Sequence, residues 1–427
     1  MAPDRTPDRE QGDTVPAGDE YVLVHTAVIV IPSGTYRAEA FVEAARSLDL
    51  DLIIASDAPA AFEDDRYLRI DLNDPRTSAT AIAQLGRPID AVIAVDDGSV
   101  MTAAMAAELL GMRHNPPSAV AATLNKAMLR RALETGHVPQ PTFELATPST
   151  DVVAITEYVG TPVVLKPLSL SGGAGVIRVD HPLQSPAAAE RIRRILAVAG
   201  RNPNEPILVE RYQPGVEVAV EGLITDGNLA VLAILDKPEQ TEGPYFEETM
   251  LVTPSSLHPE VLGEVEAVTA RAVHAIGLRE GPIHAELRVD GSTAVIIEVA
   301  ARSIGGLCSR SLRFGLLGTT LEDVLLRHAA GLPVDPHREE VASGVYMLPV
   351  PVSGTFRGVE GLSAAGDVPG ISDVVITVPR GARVAALPDV SRYLGFLFAT
   401  GSSPHSVATS LRTARDELQI LIDEPAQ

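Results

Sequence analysis

The sequence predicts a multidomain chain, part α/β and part α+β, on three observations. Apolar strand-like runs alternate with helix-like stretches from Tyr21 to about Pro116, and that alternation implies a parallel sheet with crossover helices. At 427 residues the chain is too long for one ordinary core at roughly 150 residues per domain. Beyond Thr161 the pattern shifts to paired strands interrupted by single long helices, which suits α+β units.

In chain order, the first strands are expected at Val22–Ile31, Asp51–Ala55, Tyr67–Asp71 and Ala91–Val95, with helices at Ala38–Leu48 and Met101–Leu110. A helix is expected over Ser118–Gly136, closed by its glycine and by Pro139 and Pro141. Further helices are expected at Pro186–Val198, Pro259–Ile276 and, as the closing element, Ser406–Leu421. Gly344–Val352 and Asp373–Val378 read as strands. The expected organisation is a disordered tail at 1–20, an N-terminal α/β domain at 21–117, a central helix and small glycine-loop unit at 118–211, and a C-terminal unit at 212–427.

Composition narrows the function. A hydrophobic content of 45% with 21% charged residues is globular. A formal net charge of −22 speaks against a nucleic-acid partner, because phosphate affinity needs an excess of Lys and Arg. Met1–Glu20 lacks the apolar centre of a signal peptide, and the run Tyr21–Pro32 is short of the roughly 20 residues a membrane helix requires. Cys308 is the single cysteine, so no intramolecular disulfide forms and a cytoplasmic location is expected.

Two stretches carry chemistry. Val163–Pro167 is an apolar strand containing Lys166, followed by Ser169-Leu170-Ser171-Gly172-Gly173-Ala174-Gly175 and a second strand from Val176. Glycines let backbone N–H groups wrap an anion and the lysine adds a fixed positive charge, so this hairpin suits a polyphosphate; a plain flexible hairpin tip is the other reading. It is not a Walker loop, since no Lys-Ser/Thr follows the glycines. The second stretch runs from His284 to Arg302 with Asp290-Gly291 as a hairpin signal. A loop centred on Ser292 sets Glu286 across from Glu298, with Cβ atoms roughly 5 Å apart. His284, Glu286, Arg288 and Glu298 then share one face, while Ala285, Leu287, Val289, Val295, Ile297 and Val299 form the apolar face. Facing carboxylates repel unless a cation lies between them, and Mg²⁺ takes oxygen ligands of this kind; a solvated face neutralised by Arg288 is the alternative. Ile207–Tyr212, which brings Glu210 to a strand end ahead of Pro214-Gly215-Val216-Glu217, suits either a nucleoside contact or an edge strand.

Taken together, Asn125-Lys126, Val164-Leu165-Lys166-Pro167 with the glycine loop, Val209-Glu210-Arg211-Tyr212, Gly215-Val216-Glu217, His284-Ala285-Glu286 and Glu298 to Gly306 resemble the ATP-grasp superfamily. Within it the chain resembles the bacterial L-amino-acid (dipeptide) ligase branch, from about Tyr21 to Leu421. The resemblance implies an ATP-grasp fold preceded by a parallel-sheet domain. It also implies an ATP-dependent carboxylate–amine ligase that forms an amide through an acyl phosphate and releases ADP and phosphate. A carboxylase or other ligase of primary metabolism, or a nucleotide binder without turnover, are the alternatives.

Residue by residue, the resemblance implies that Lys126 and Lys166 hold the ATP phosphates under the loop containing Ser171, Gly172, Gly173 and Gly175. Glu210 and Tyr212 would line the adenine hinge and Glu217 would take the ribose hydroxyls. Glu286 and Glu298 would ligate Mg²⁺, two ions in number, with Mn²⁺ as a substitute. Arg302 would stabilise the transferring phosphoryl group, with Lys166 as its catalytic companion, and Lys237, Glu248, Gly305 and Gly306 would face the substrates beside Arg302. The implied partners are a small carboxylate and a small amine, with a homodimer as the candidate assembly and with neither nucleic acid nor membrane. The sequence departs from the superfamily at Ala300, where Asn is usual, and at Met250-Leu251, where this branch often carries Gly-His.

Overall fold

The computed structural model describes residues 25–59, 65–239, 243–389 and 392–424. The expected tail at 1–20 and the first residues of the strand at Val22–Ile31 lie outside them.

The N-terminal unit is built as β1 (Thr26–Ile31), α1 (Ala38–Ser47), β2 (Asp51–Ser56), β3 (Tyr67–Arg69), α2 (Pro75–Ala83), β4 (Ala91–Ala94) and α3 (Asp97–Leu109). Its four strands pair in parallel in the order β3-β2-β1-β4. The burial of all six residues of β1 follows from covering helices on both faces. Helix α2 was not expected; Asp74 caps it through the Thr77 N–H and Pro75 starts it. The turn Asp96–Ser99 caps α3, with Asp96 and Ser99 forming a reciprocal capping box.

The single helix expected over Ser118–Gly136 is two, α4 (Pro117–Leu124) and α5 (Lys126–Thr135). Asn125 breaks it by adopting extended backbone, and its side chain accepts from the N–H groups of Ala127 and Met128. The smaller sheet follows: β5 (Phe143–Ala146), α6 (Val152–Val159), β6 (Val163–Pro167), β7 (Ile177–Val179), α7 (Ser185–Val198) and β8 (Ile207–Arg211). Its order is β5-β8-β6-β7, antiparallel throughout, with the glycine loop joining β6 to β7.

The remainder forms an eight-stranded sheet with a small annex. Its elements are β9 (Val216–Thr225), β10 (Asn228–Asp236), β11 (Met250–Thr253), α8 (Pro259–Ile276), β12 (Gly281–Asp290), β13 (Thr293–Ala300) and α9 (Leu321–Ala329). They continue as β14 (Ala342–Leu348), β15 (Gly354–Glu360), α10 (Leu362–Gly366), β16 (Ile371–Ile376), β17 (Arg383–Val384), β18 (Gly395–Gly401), α11 (Pro404–Asp416) and β19 (Gln419–Asp423). The large sheet runs β13-β12-β9-β10-β11-β14-β18-β16, and β17-β15-β19 is the annex. The closing helix expected to reach Leu421 therefore stops at Asp416. Alternating Ile420 and Ile422 pack on the Phe356 core instead, as a strand.

One register matters for the site. The β12–β13 turn pairs Asp290 with Thr293 and Leu287 with Ile296, so an unbroken ladder would set Glu286 against Ile297. A bulge at Ile297 inserts one residue and brings Glu298 opposite Glu286. The expected carboxylate pairing is present, but the bulge and not a loop centred on Ser292 produces it. Consequently Ala294 and Ile296, rather than Val295 and Ile297, share the apolar core with Ala285, Leu287 and Val299, and Ile297 faces the cleft described next.

Candidate active site

A cleft opens between the smaller sheet and the large one. Lys126, Lys166, Gly172, Gly173, Glu210, Tyr212, Glu217, Lys237, Glu248, Glu286 and Glu298 all line it. Of the remaining expected residues, Ser171 sits exposed at the loop tip and Gly175 is buried behind it. The Gly175 N–H donates to the Pro388 carbonyl at 2.9 Å, and a Cβ there would meet Pro167 at 3.0 Å. Gly306 has φ +64 and lies against Phe396, where a Cβ would approach to 3.0 Å, so packing demands that glycine.

The end of the cleft beneath the glycine loop is a network of buried charge. On β6, Val164 pairs with Glu210 of β8, which places Lys166 diagonally beside that carboxylate at 2.6 Å. Arg130 of α5 reaches the other oxygen of Glu210 and also donates to the carbonyl of Ile297 at 2.6 Å, on the bulge itself. Burial alone would raise the Glu210 pKa, but Arg130 and then Lys166 outweigh it and hold the carboxyl at about 2. Glu210 thus has both oxygens occupied, and it anchors Lys166 instead of presenting a free acceptor to an adenine. Lys126 starts α5 and donates to the carbonyl of Leu170 at 2.7 Å and to Glu298 at 3.3 Å.

Lys237, just past β10, is the hub of the opposite wall. Its buried ammonium lies 2.7 Å from Glu217, 2.7 Å from Glu248 and 3.2 Å from Glu286. Burial opposes the charge, yet the three carboxylates push the lysine pKa well above its ordinary value. Arg288, cross-strand from Glu217, holds that residue's second oxygen at 2.8 Å. His284 bridges Glu221, whose other oxygen accepts from the Ile304 N–H at 3.0 Å, and Glu286 at 3.6 Å. Burial disfavours the imidazolium, but Glu221 and Glu286 together raise the His284 pKa to about 9. Glu286 is in turn held well below the carboxylate range, against burial, by Lys237 and His284.

The donor set fits Mg²⁺. Glu286 and Glu298 face one another across two strands with an ammonium beside each, and Mg²⁺ binds through one or two carboxylates plus substrate phosphates. Among the described residues no group of three or more His, Cys, Asp or Glu side chains gathers to hold a metal, so the nucleotide's own oxygens would complete the shell.

Elsewhere on the cleft lining Tyr212 stacks on Phe246 with centroids 6.3 Å apart, and Arg178 lies over the Tyr212 ring at 4.4 Å. Val164 and Ile297 add apolar walls. Arg302 stands apart from the cleft lining: it grips Asp97, the first residue of α3, with two bonds of 2.8 and 2.9 Å, and donates to the Ser303 carbonyl. Burial works against that pair, yet Arg302 lowers the Asp97 pKa and Asp97 raises that of Arg302. Met128-Leu129-Arg130 belongs to the stretch that carries the family resemblance and Asp96-Asp97-Gly98-Ser99 is a turn at a strand's carboxyl end, but neither reading named the partners Glu210 and Arg302, 80 and 205 positions away. Glu221 and Phe246 were not singled out from sequence; their partners are 63 and 34 positions away and no short motif marks them. Cys308 is buried and burial pushes its thiol pKa up, as befits a structural side chain.

Residues 159–311 match the ATP-grasp domain and residues 346–423 match the L-amino acid ligase C-terminal domain 2. The chain thus carries an ATP-grasp domain. Over nearly its whole length it resembles the L-amino acid ligases: the structure of the Bacillus licheniformis enzyme superposes with a TM-score of 0.77 at 26% identity, covering 94% of this chain and 99% of that one. The alanine–anticapsin ligase of Bacillus subtilis is 27% identical over 51% of this chain, and dapdiamide A synthase of Enterobacter agglomerans is 28% identical over 60%. The matched stretches span 49% and 60% of those two relatives. No helix among the described residues is long and apolar enough to cross a membrane.

Proposed function

We propose that this chain is an ATP-dependent ligase that joins the carboxylate of one amino acid or amino-acid-like molecule to the amine of another. The observation that carries the reading is the carboxylate pair Glu286/Glu298, set by the bulge and flanked by Lys126 and Lys237, in one cleft with Lys166 under the glycine loop. A carboxylate is a poor electrophile, so its oxygen first attacks the γ-phosphorus of ATP, and ADP leaves. The amine nitrogen then attacks the acyl carbon, a proton is lost and phosphate departs, leaving an amide.

Each side chain has a part in this. Lys126 and Lys166 neutralise the triphosphate while the carboxylate approaches. Gly172 and Gly173 close backbone over it and keep water from the acyl phosphate. Tyr212, Phe246, Val164 and Ile297 flank the base, and Glu217 faces the ribose. Mg²⁺, two ions or Mn²⁺ in their place, supplies charge neutralisation between triphosphate and carboxylate when bound at Glu286 and Glu298. Arg302 orients the segment after β13 through Asp97 and meets a phosphoryl group only by exchanging Asp97 for it. Lys237, Glu248 and the Gly305-Gly306 turn border the amino-acid end. The cytosol is the expected compartment and a homodimer the expected assembly, which light scattering of the purified chain checks.

The test is ADP and phosphate release with ATP and Mg²⁺ over a matrix of amino acids, singly and in pairs, with mass spectrometry of the products. Release that needs both partners, with a product one water lighter than their sum, supports the ligase. ATP binding with no release for any pair refutes it.

A further inference from the structure

The lysines that the sequence motifs supply are each engaged: Lys126 by Glu298, Lys166 by Glu210, and Lys237 by Glu217, Glu248 and Glu286. Arginines around the cleft are nearly all committed. Arg130 is held by Glu210, Arg288 by Glu217, Arg302 by Asp97, and Arg37 by Asp96 and Ser303. Arg310 and Arg313 are likewise spent: Arg310 pairs with Asp373 and lies over Phe398, and Arg313 donates to the carbonyls of Arg310 and Leu312. Among the described residues, two cleft-lining arginines have no ion pair or side-chain hydrogen bond, Arg211 and Arg392. Arg211 ends β8 at the nucleoside end, and Arg392 comes from the segment before β18.

Arg392 therefore brings an uncompensated cation into a cleft otherwise rich in carboxylates. It lies near Tyr36, whose pKa burial and neighbouring acidic groups raise to about 12 while Arg392 pulls it back. The next residue, Tyr393, also lines the cleft and packs edge-on against Phe396 at 5.9 Å. The preceding residues are fastened from across the cleft: the Gly175 N–H donates to the Pro388 carbonyl at 2.9 Å, and Arg191 of α7 pairs with Asp389 at 2.6 Å. Pro388 and Asp389, close before Arg392 in sequence, are thus held by the glycine-loop unit.

We propose that Arg392 is the receptor for the α-carboxylate of the amino acid that donates the amine, so that the amine component is a free α-amino acid. This rests on the ligase reading above. A guanidinium engages a carboxylate through both oxygens in a fixed fork. A carboxylate so held keeps its charge but is a weaker nucleophile toward phosphorus. The one Arg392 holds is the group the reaction leaves unchanged, which becomes the C-terminus of the product.

The experiment compares wild type with Arg392→Gln and Arg392→Lys, using the productive pair from the amino-acid matrix and the carboxamide of its amine donor. Wild type should prefer the free acid over the carboxamide. Arg392→Gln should raise the KM for the donor acid by roughly 10- to 100-fold, the size of a lost hydrogen bond to a charged group. It should also accept acid and carboxamide alike, with KM for ATP unmoved and the thermal midpoint of wild type. Arg392→Lys should restore part of the preference. Full discrimination in Arg392→Gln overturns the assignment and leaves the ligase intact, whereas a wild type that turns over no pair overturns the ligase reading and this one with it.

Discussion

Replacing Glu210 with Gln tests whether the buried triad with Arg130 and Lys166 holds the smaller sheet to the rest of the molecule. The carboxyl is displaced from an ordinary value of 4.5 to about 2, which is worth about 3 kcal/mol at about 1.36 kcal/mol per tenfold change. Breaking a buried pair on one side costs about 3–5 kcal/mol, because the partner cations stay buried without compensation, so the two figures agree. A depressed carboxyl contributes stability that is complete above about pH 4.5 and is lost as pH falls toward 2. Amide hydrogen exchange in β6 and β8 is the assay, since it reads local opening rather than unfolding of a multidomain chain. At neutral pH, Glu210→Gln should accelerate exchange there by roughly 300-fold, and the difference from wild type should shrink as pH drops below about 4. Acceleration of less than tenfold, or equal acceleration in β1 and β2, refutes the argument.

Three further outcomes are expected. Glu298→Gln should abolish Mg²⁺-dependent ADP release while circular dichroism stays that of wild type, and normal turnover in that variant would remove the metal assignment. Lys166→Ala should weaken ATP binding at least tenfold by calorimetry, an amount set by losing one charge-assisted phosphate contact; unchanged affinity would refute the phosphate role. His284 carries a raised pKa of about 9, so its contribution to stability is complete below about pH 6.5 and is lost as pH rises through 9. The thermal midpoint of wild type should fall across that window and that of Glu221→Gln should not, and parallel pH profiles would sink the reading.

The sequence made local features legible. Helix Pro259–Ile276 has the bounds expected of it because Pro259 starts it and Gly277, in left-handed backbone, stops it, and both signals are contiguous with the helix they delimit. Strand β1 and the glycine hairpin were visible for the same reason. The pairing of Glu286 with Glu298 was reached through a loop centred on Ser292 that the structure does not have, since a bulge carries no residue signature; Arg130, far off in sequence, donates to the Ile296 and Ile297 carbonyls there. Asn125 illustrates another limit: a helix pattern on both sides hid a cap between them. Arg302 shows the largest one, because what a guanidinium touches depends on where α3 is docked, and nothing near residue 302 encodes Asp97.

The large sheet bears on how chains of this type can be recombined. The match to the L-amino acid ligase C-terminal domain begins at residue 346, in the middle of β14, whose Met250-paired residue is Tyr346 itself. Strands β14, β18 and β16 continue the ladder on from β11, so the start of that match falls inside a hydrogen-bonded strand and not in a linker. A chimera spliced there would join two half-strands. One spliced at 330–341, before β14 starts, would carry the strand and the Tyr393 segment as an intact graft and could exchange amine-donor preference without disturbing the carboxylate pair.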